Sequence, residues 1–497
     1  MVTASCPVSA RAGRSPEGLA LVAGTSRWSW TELDRAVALT AARLRGDGVG
    51  PGDRVALLAG NHPAVVFLFF AVRRLGAALA PLNARLTPAE LEPQRARLAP
   101  ALVLAEEALH SKLPVATPLE RWERQRATPA ENAPNDVEGD WAVLFTSGTT
   151  GRPRAARLSV RAFDALAAAS AANLGPRPGD RWLCNLPLFH VGGLAMAMRC
   201  VHDGATLELQ LRADPEDVVR AVADRGVTHL SLVARTLQQT LDAGLRGGGL
   251  RAVLVGGGPV PPSLVRRARQ AGVPVLLTYG LTEACSQVTT ERPHDADGTT
   301  AGPPLPGLRV SILDAEGRVL DPGAEGTIAV HGPTRMSGYL DDEAGTAAAL
   351  RGEWLLTGDL GRLDDRGRLT VLARRTDLIL SGGENVYPAE VEAVLAEHPA
   401  VSEVAVVARP DARWGQVPVA LVVGRRTLAD GELQSWARAR LAAFKVPAAV
   451  QPVDRLPRTA AGKVDRAAAQ ALAVPREPCA SQKPDDAETR ASTMRFK

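Results

Sequence analysis

The apolar residues of this chain follow a rhythm that constrains its fold more than any other feature. From residue 19 to about residue 372, short β-type runs alternate with longer amphipathic stretches, as at 54–59, 63–75 and 76–81. Such alternation is typical of βαβ units, in which the strands pair in parallel and the helices cover the sheet. The sequence therefore predicts an α/β fold with largely parallel sheets for most of the chain.

The rhythm changes twice, and each change predicts a separate unit. Between about 302 and 372, short strands divided by turns favour a small antiparallel, barrel-like subdomain. Beyond it, the pattern predicts a smaller α+β domain with helices at 388–397 and 433–441 and strands at 401–407 and 417–423. The predicted units are an N-terminal domain (1–373), a C-terminal domain (374–474) and a disordered tail (475–497).

Composition excludes several classes of function. No apolar run reaches the ~18 residues of a membrane helix, since the longest, 65–72, is followed by two arginines. The first twenty residues lack a signal-peptide pattern, and five cysteines without a C-x-x-C pair indicate neither a disulfide framework nor a zinc site. The net charge of +4 comes from scattered basic residues, so nucleic acid is not indicated. We expect a cytoplasmic protein without a membrane span; whether it forms a homo-oligomer stays open.

Lysine is rare in this chain. Only five of the 58 Lys and Arg residues are lysines, at 112, 445, 463, 483 and 497. Where arginine could serve, this sequence has arginine. An internal lysine is therefore a candidate for chemistry that a guanidinium does not replace.

A glycine- and hydroxyl-rich segment at 146–154, TSGTTGRPR, follows an apolar strand at 141–145 and is expected to precede a helix. Small residues let backbone N–H groups turn towards an anion, and the hydroxyls and two guanidiniums add donors, so the segment suits a polyphosphate. It is not a Walker loop, because the G-x-x-x-x-G-K-[ST] spacing is absent. Taken alone, the segment is equally consistent with an ordinary surface loop.

Five further motifs follow in order: PLFH at 187–190, YGLTE at 279–283, TGD at 357–359, RRTDLILSGGENVYP at 374–388 and PRTAAGK at 457–463. With the 146–154 loop they resemble the acyl-adenylate-forming superfamily of acyl-CoA synthetases, luciferases and adenylation domains, over residues 17–472. The resemblance implies ATP-dependent activation of a carboxylic acid, followed by thioester formation with coenzyme A. The implied co-substrates and cofactor are ATP, coenzyme A and Mg²⁺.

The resemblance also implies a set of nucleotide-binding residues. The β- and γ-phosphates would be held by the loop, where Arg154 replaces the family's usual lysine. Glu283 would bind an ATP-bound Mg²⁺, with Thr282 near the α-phosphate, and Asp359 beside Arg374 would accept hydrogen bonds from the ribose. The implied nucleotide-binding residues are Thr146, Ser147, Gly148, Thr149, Thr150, Gly151, Arg154, Gly256, Gly257, Gly258, Tyr279, Asp359 and Arg374.

The small domain supplies the remaining implied groups. Lys463 would bridge the substrate carboxylate and the α-phosphate, where a compact ammonium fits better than a guanidinium. The segment 375–381 would be the hinge about which the mobile C-terminal domain rotates between the two half-reactions. After rotation, Gly382 and Gly383 would border the pantetheine tunnel. Thr376 stands where many relatives carry Asp or Lys, so its contribution to the hinge is open.

The residues that would bind the carboxylic acid are less clearly indicated by the sequence motifs than those that would bind the nucleotide. His190 borders the acyl pocket, gates entry of the thiol, or is a packed histidine at the end of a strand. Ser286 is a further substrate candidate. Arg199 is the only charge in an apolar stretch at 194–201, so its guanidinium must be paired or exposed. Its partner could be a structural carboxylate or a second carboxylate of the substrate. The motifs together are most similar to the 2-succinylbenzoate-CoA ligases of menaquinone synthesis. Medium-chain or aromatic acyl-CoA synthetases and a non-catalytic adenylate-binding relative remain the alternatives.

Overall fold

The computed structural model describes residues 6–128, 139–146, 153–212, 214–374, 377–381, 384–411, 414–441, 443–459 and 462–473. The predicted tail lies outside these residues. None of the described helices is long and apolar enough to cross a membrane.

The large domain contains twenty strands and eleven α-helices within the described part of the chain. Its strands are β1 (Leu19–Ala23), β2 (Ser26–Ser29), β3 (Arg54–Leu58), β4 (Ala78–Leu82), β5 (Leu102–Ala105), β6 (Thr117–Pro118), β7 (Asp140–Thr146), β8 (Arg154–Ser159), β9 (Arg181–Cys184), β10 (Thr206–Leu209), β11 (His229–Leu232), β12 (Ala252–Val255), β13 (Val275–Leu281), β14 (Ser286–Thr290), β15 (Arg309–Leu313), β16 (Gly326–His331), β17 (Gly338–Tyr339), β18 (Leu350–Arg351), β19 (Trp354–Leu363) and β20 (Leu369–Arg374). Its helices are α1 (Pro7–Arg14), α2 (Trp30–Gly46), α3 (Pro63–Leu75), α4 (Pro88–Leu98), α5 (Leu119–Glu123), α6 (Val160–Leu174), α7 (Val191–Asp203), α8 (Pro215–Asp224), α9 (Ala234–Asp242), α10 (Pro262–Gln270) and α11 (Glu343–Ala349).

These strands form three sheets. An eight-stranded sheet has the order β14-β13-β12-β11-β9-β10-β1-β2, and a seven-stranded sheet has the order β17-β8-β7-β4-β3-β5-β6. Both are parallel at the centre and antiparallel at one or both edges. The third sheet is antiparallel throughout, with the order β15-β16-β19-β18 and with β20 paired to β19. The predicted α/β class and antiparallel subdomain are confirmed.

The core of the large domain lies between the two mixed sheets. Helices α3, α6 and α7 fill this layer, and in α3 every residue from Ala64 except Phe67 is buried. Phe69 of α3 stacks on Trp141 of β7 with the ring centroids 4.2 Å apart. The apolar run 65–72 is therefore a core helix. The arginine that follows it, Arg73, is also buried and pairs with Asp164 at 2.9 Å.

The small domain follows the order of elements that the sequence predicts. Its elements are β21 (Ile379–Ser381), β22 (Glu384–Val386), α12 (Pro388–Ala396), β23 (Val401–Asp411), β24 (Gly415–Gly424), α13 (Glu432–Arg438), β25 (Ala449–Pro452) and α14 (Arg466–Ala473). The two central strands are longer than predicted, because β23 and β24 pair as a hairpin that runs on past the buried alternating residues. Hydrogen bonding extends a strand further than its apolar pattern does.

Candidate active site

The glycine-rich loop closes a β-hairpin. Strand β7 leads into it and strand β8 leaves it, and Thr146 pairs with Arg154 in the antiparallel register. The expectation of a helix directly after the loop is wrong, because six residues of strand precede α6. Ser147, Gly148, Thr149, Thr150 and Gly151 lie outside the described residues. The hairpin fixes both ends of the loop at the edge of the seven-stranded sheet.

Arg154 is held where β8 begins. Its guanidinium lies 5.2 Å from the centroid of the Tyr339 ring and 3.5 Å from a carboxylate oxygen of Asp342. Strand β17, which carries Tyr339, pairs antiparallel with β8. A cation over an aromatic face and beside a carboxylate has few rotamers left. The charge at the end of the phosphate loop is thus oriented by residues far along the chain.

Glu283 lies immediately after β13, in a single 3₁₀ turn over Thr282–Ala284. One carboxylate oxygen accepts a hydrogen bond from the phenol of Tyr339 at 2.9 Å. Burial raises the pKa of Tyr339, and the adjacent Glu283 charge raises it further. Among the described residues there is no cluster of three His, Cys, Asp or Glu side chains that could hold a metal. A single half-buried carboxylate suits a Mg²⁺ that arrives with ATP, because Mg²⁺ keeps several waters and takes phosphate oxygens as ligands.

Asp359 and Tyr279 form a buried pair. The phenol of Tyr279 donates to Asp359 Oδ2 at 2.7 Å, and Asp359 is only 9% exposed. The backbone of Asp359 pairs with that of Arg374 across β19 and β20. The structure thus brings together the residues predicted to bind ribose.

Three glycines after β12 each have a different physical role. A Cβ on Gly256 would lie 2.4 Å from the carbonyl oxygen of Thr278, so this position needs glycine for packing against β13. Gly257 has a φ of +76°, which a side chain disfavours. A Cβ on Gly258 would meet nothing within 4 Å, so this residue faces open space. Of the three, only Gly258 leaves room above the backbone for a flat ring.

Lys463 lies on a tight turn of the small domain, and its side chain is exposed. The backbone N–H of Thr459 donates to the Lys463 carbonyl at 2.8 Å. Arg458 donates to the Gly462 carbonyl at 2.9 Å and pairs with Glu403 at 2.6 Å. Arg458 thus ties the turn to strand β23.

The Lys463 turn lies against the large domain. A Cβ on Gly462 would be 3.6 Å from the guanidinium of Arg85, and the charges of Lys463 and Arg85 both act on His190. Burial, the largest cause, and these two cations together lower the pKa of His190 to about 4, so its ring is neutral at pH 7. His190 Nε2 is buried and has no hydrogen-bond partner among the residues that the structure describes. The structure therefore brings Lys463 and His190 together.

In the described part of the chain, two ion pairs connect the small domain to the large one. Arg235 of α9 lies 3.5 Å from Glu403, and Arg266 of α10 lies 3.0 Å from Glu397. All four side chains are at least one third exposed. Exposed pairs of this kind contribute little stability each. These two ion pairs therefore contribute little to the arrangement that presents Lys463 to the large domain, which also includes a hydrogen bond from the buried Tyr387 of the small domain to Glu325.

Arg199 is almost completely buried on α7, with 2% of its surface exposed. Burial lowers its pKa to about 10, so it is still charged at pH 7. Its guanidinium lies 5.7 Å from the Trp182 ring centroid and close to Cys285. It makes no ion pair with any carboxylate in the described part of the chain, and its Nε has no hydrogen-bond partner. Asp203 acts on it only at longer range.

Ser286 follows Cys285 at the start of β14, and both have unusual backbone angles. Their φ values are +90° and +54°, in the region that glycine favours. Strain of this kind is common at functional sites, where surrounding structure maintains it. It also folds the chain back over Gly280, where a Cβ would meet the Ser286 carbonyl at 1.7 Å.

The remaining predicted residues lie at the start of the small domain. Gly382 and Gly383 are outside the described residues, as is Thr376 of the hinge. The flanking strands β21 and β22 form a hairpin, with Ser381 paired to Glu384.

Comparison with known proteins identifies the family. The AMP-binding enzyme family matches residues 8–340, and the AMP-binding enzyme C-terminal domain matches residues 390–463. This chain is a member of the AMP-binding enzyme family. The family resemblance that the sequence motifs indicate is therefore confirmed.

Individual members of this family are similar to this chain over almost its whole length. A 2-succinylbenzoate–CoA ligase from Bacillus licheniformis is 38% identical over 466 residues, which cover 92% of this chain and 97% of the relative. The structure of o-succinylbenzoate CoA synthetase from Bacillus subtilis in complex with its acyl-adenylate intermediate superposes with a TM-score of 0.89 at 35% identity. It covers 95% of this chain and 98% of that one.

A second structure of the Bacillus subtilis enzyme is a double mutant bound with its product analogue. It covers 93% of this chain and 97% of that one, again at 35% identity, but superposes with a TM-score of only 0.72. Since sequence identity is the same in both comparisons, the difference reflects the arrangement of the chain. The arrangement of this family member is more similar to that of the acyl-adenylate complex.

Proposed function

We propose that this protein joins 2-succinylbenzoate to coenzyme A at the expense of ATP, releasing AMP and pyrophosphate. The observation that carries the choice of acid is Arg199, a buried and charged guanidinium without a carboxylate partner among the described residues. Such a charge is costly unless a ligand supplies the counter-charge. 2-Succinylbenzoate has two carboxylates, one to be activated and one to pair with Arg199. The curated relatives that carry this activity in their names support the same choice.

The proposed reaction has two steps. An oxygen of the succinyl carboxylate attacks the α-phosphorus of ATP, and the bond to pyrophosphate breaks, which leaves an acyl-adenylate. The coenzyme A thiol then loses its proton and attacks the acyl carbon, and AMP leaves. The first step brings an anion against an anion, so it depends on positive charge at the reacting oxygens.

The residues of this chain divide that task. Lys463 places its ammonium between the attacking carboxylate and the α-phosphate, while Arg154 and the loop before it hold the outer phosphates. Asp359, positioned by Tyr279, binds the ribose hydroxyls. His190 stays neutral because of its low pKa, so it adds no competing charge beside Lys463. Mg²⁺, held through Glu283, would screen the phosphate charge when bound.

The co-substrates place the reaction in the cytoplasm, where ATP and coenzyme A are both available. Assembly into a homo-oligomer stays a prediction, which sedimentation of the purified protein measures.

A pyrophosphate-release assay with 2-succinylbenzoate, hexanoate and benzoate tests the proposal. We expect 2-succinylbenzoate to be the preferred acid by a wide margin in kcat/KM. Preference for hexanoate or benzoate would instead indicate a medium-chain or aromatic acyl-CoA synthetase, and no release with any acid would favour a non-catalytic adenylate-binding relative.

The variant Arg199→Gln isolates the role of the guanidinium. We expect its KM for 2-succinylbenzoate to rise about thirtyfold or more, from the ~2 to 5 kcal/mol that loss of a desolvated charge pair costs. A monocarboxylic acid of similar size should lose far less. Arg73→Gln is the matched control, because Arg73 is equally buried but already pairs with Asp164. It should lower thermal stability without changing the preference between acids. Equal losses on both acids in Arg199→Gln would make this arginine a structural residue.

A further inference from the structure

The chain contains only three tyrosines, and the phenol of each donates a hydrogen bond to a carboxylate. Tyr279 donates to Asp359 and Tyr339 to Glu283, while Tyr387 donates to Glu325 near the start of the small domain. Two of the three carboxylates are ones that the sequence motifs place around the nucleotide. Tyr339 itself lies in none of those motifs.

Three elements converge on Tyr339. Strand β17 has only two residues, and it is fixed by its pairing with β8, in which Tyr339 lies opposite Ala156. The backbone N–H of Tyr339 donates to the hydroxyl of Thr346 at 2.8 Å. The side chain is 8% exposed. Its hydroxyl therefore has a fixed position relative to both β8 and the turn after β13.

The Tyr339 side chain acts on two groups, because its hydroxyl contacts Glu283 and the Arg154 guanidinium lies beside both its ring and its hydroxyl. The hydroxyl is 2.9 Å from Glu283 Oε1, and the ring face lies 5.2 Å from the guanidinium of Arg154. One oxygen of Glu283 is thereby engaged, which leaves the other for a cation. One residue thus touches both the carboxylate for the metal and the cation at the end of the phosphate loop.

We propose that Tyr339 is a positioning residue for Mg²⁺-ATP, which orients the Glu283 carboxylate through its hydroxyl and the Arg154 guanidinium through its ring. This inference rests on the proposed function, since it requires ATP with Mg²⁺ at this site. Hydrogen bonds to a metal-binding carboxylate fix its orientation, and their loss typically costs ten- to a hundredfold in metal affinity. A planar guanidinium stacks on an aromatic ring, so Arg at position 154 suits a tyrosine partner.

Binding of α,β-methylene-ATP, measured by calorimetry with and without Mg²⁺, tests the inference without turnover. In the wild type we expect Mg²⁺ to increase the affinity. In Tyr339→Phe we expect this Mg²⁺-dependent gain to fall about tenfold, with a nearly unchanged melting temperature. The metal-free affinity should fall much less, because the ring stays beside Arg154 and only the hydroxyl contact with Arg154 is lost. Tyr339→Leu, which removes the ring as well, should also lower the metal-free affinity.

Two comparisons distinguish positioning from a general structural effect. Tyr387→Phe removes the same kind of Tyr–Glu hydrogen bond at Glu325 and should leave the Mg²⁺-dependent gain intact. In a Glu283→Gln background, Tyr339→Phe should have no further effect on that gain. An equal loss of affinity with and without Mg²⁺, or a full further loss in the Glu283→Gln background, would overturn the role of Tyr339. Failure of the analogue to bind the wild type would overturn the proposed function as well.

Discussion

The nucleotide side of the site and the lysine side are built differently. Asp359 and Glu283 are each held by a phenol within the large domain, at 2.7 and 2.9 Å, and Asp359 is buried. Lys463 is exposed, on a turn of the small domain tied to the large one by half-exposed ion pairs. In the proposed reaction, the groups that contact AMP act in both half-reactions, whereas the lysine acts in one. The two carboxylates are thus held by hydrogen bonds within the large domain, whereas the position of the lysine depends partly on exposed ion pairs that break at little cost.

The variant with the largest expected effect is Lys463→Ala, which tests the difference between the nucleotide side and the lysine side of the site. We expect adenylation to fall a hundred- to a thousandfold, while thioester formation from supplied acyl-adenylate is largely kept, because the ammonium acts only in the first step. Pyrophosphate release and thioester formation are measured separately. Lys445→Ala is the control, since Lys445 pairs with Glu390 at 2.7 Å within the small domain. An equal loss of rate in both half-reactions of Lys463→Ala would contradict the assignment of the lysine to the adenylation step alone.

Tyr279→Phe, unlike Lys463→Ala, should slow both half-reactions. Its phenol orients Asp359 in a buried position, so we expect a loss of about tenfold in each half-reaction, the effect of a hydrogen bond to a charged group. The same two assays measure it. A loss confined to adenylation would mean that Asp359 does not hold AMP during the thiol step.

Glu403→Ala tests the contacts between the domains. Glu403 pairs with both Arg235 of the large domain and Arg458 of the lysine turn, so its loss should reduce adenylation several-fold and leave the thiol step unchanged. Arg235→Ala breaks only the contact between domains and should cost about twofold. Added salt should reduce the wild-type rate towards that of the variants. A larger effect of Arg235→Ala than of Glu403→Ala would contradict this assignment.

The smallest expected effect is on His190. Its pKa is about 4, mainly through burial and partly through the Lys463 charge, so Lys463→Ala should raise the pKa while burial keeps it below the ordinary value of 6.5. Because the folded-state pKa is depressed, His190 contributes stability that is present above about pH 6.5 and is lost as the pH falls towards 4. An NMR titration of the imidazole measures this. An unchanged pKa in Lys463→Ala would mean that the lysine turn does not rest on His190 in solution.

Much of the fold is readable from the sequence because its signals are local. The alternating rhythm predicts the parallel centres of the two large sheets but not their antiparallel edges. The apolar stretch around Arg199 leaves open whether its guanidinium is paired or exposed, and the structure shows that it is buried. Strand β8 was missed because its pattern, RAARLS, merges with the helix that follows. This segment is a strand because it pairs antiparallel with β7, whose paired residues lie 8 to 19 positions earlier in the chain, and not because of its own periodicity.

The supporting residues of the site could not be predicted in the same way. Tyr339 sits on a two-residue strand without periodic signal, and its partners Glu283 and Arg154 are distant in sequence. The role of Glu403 depends on its ion pair with Arg235 of α9, which forms only where the small domain contacts the large one. The rarity of tyrosine was the one available signal, of the same kind as the rarity of lysine that singled out Lys463.

The scarcity of tyrosine makes this protein unusually suited to isotope labelling. Tyrosine carrying ¹³C at its Cζ would give three resonances, and each phenol carbon responds to the hydrogen bond that its own hydroxyl makes. Tyr279 would report on the ribose carboxylate, Tyr339 on the metal carboxylate and Tyr387 on Glu325 near the hinge. Three assigned signals would therefore follow nucleotide arrival, metal arrival and domain rotation as separate events within one turnover.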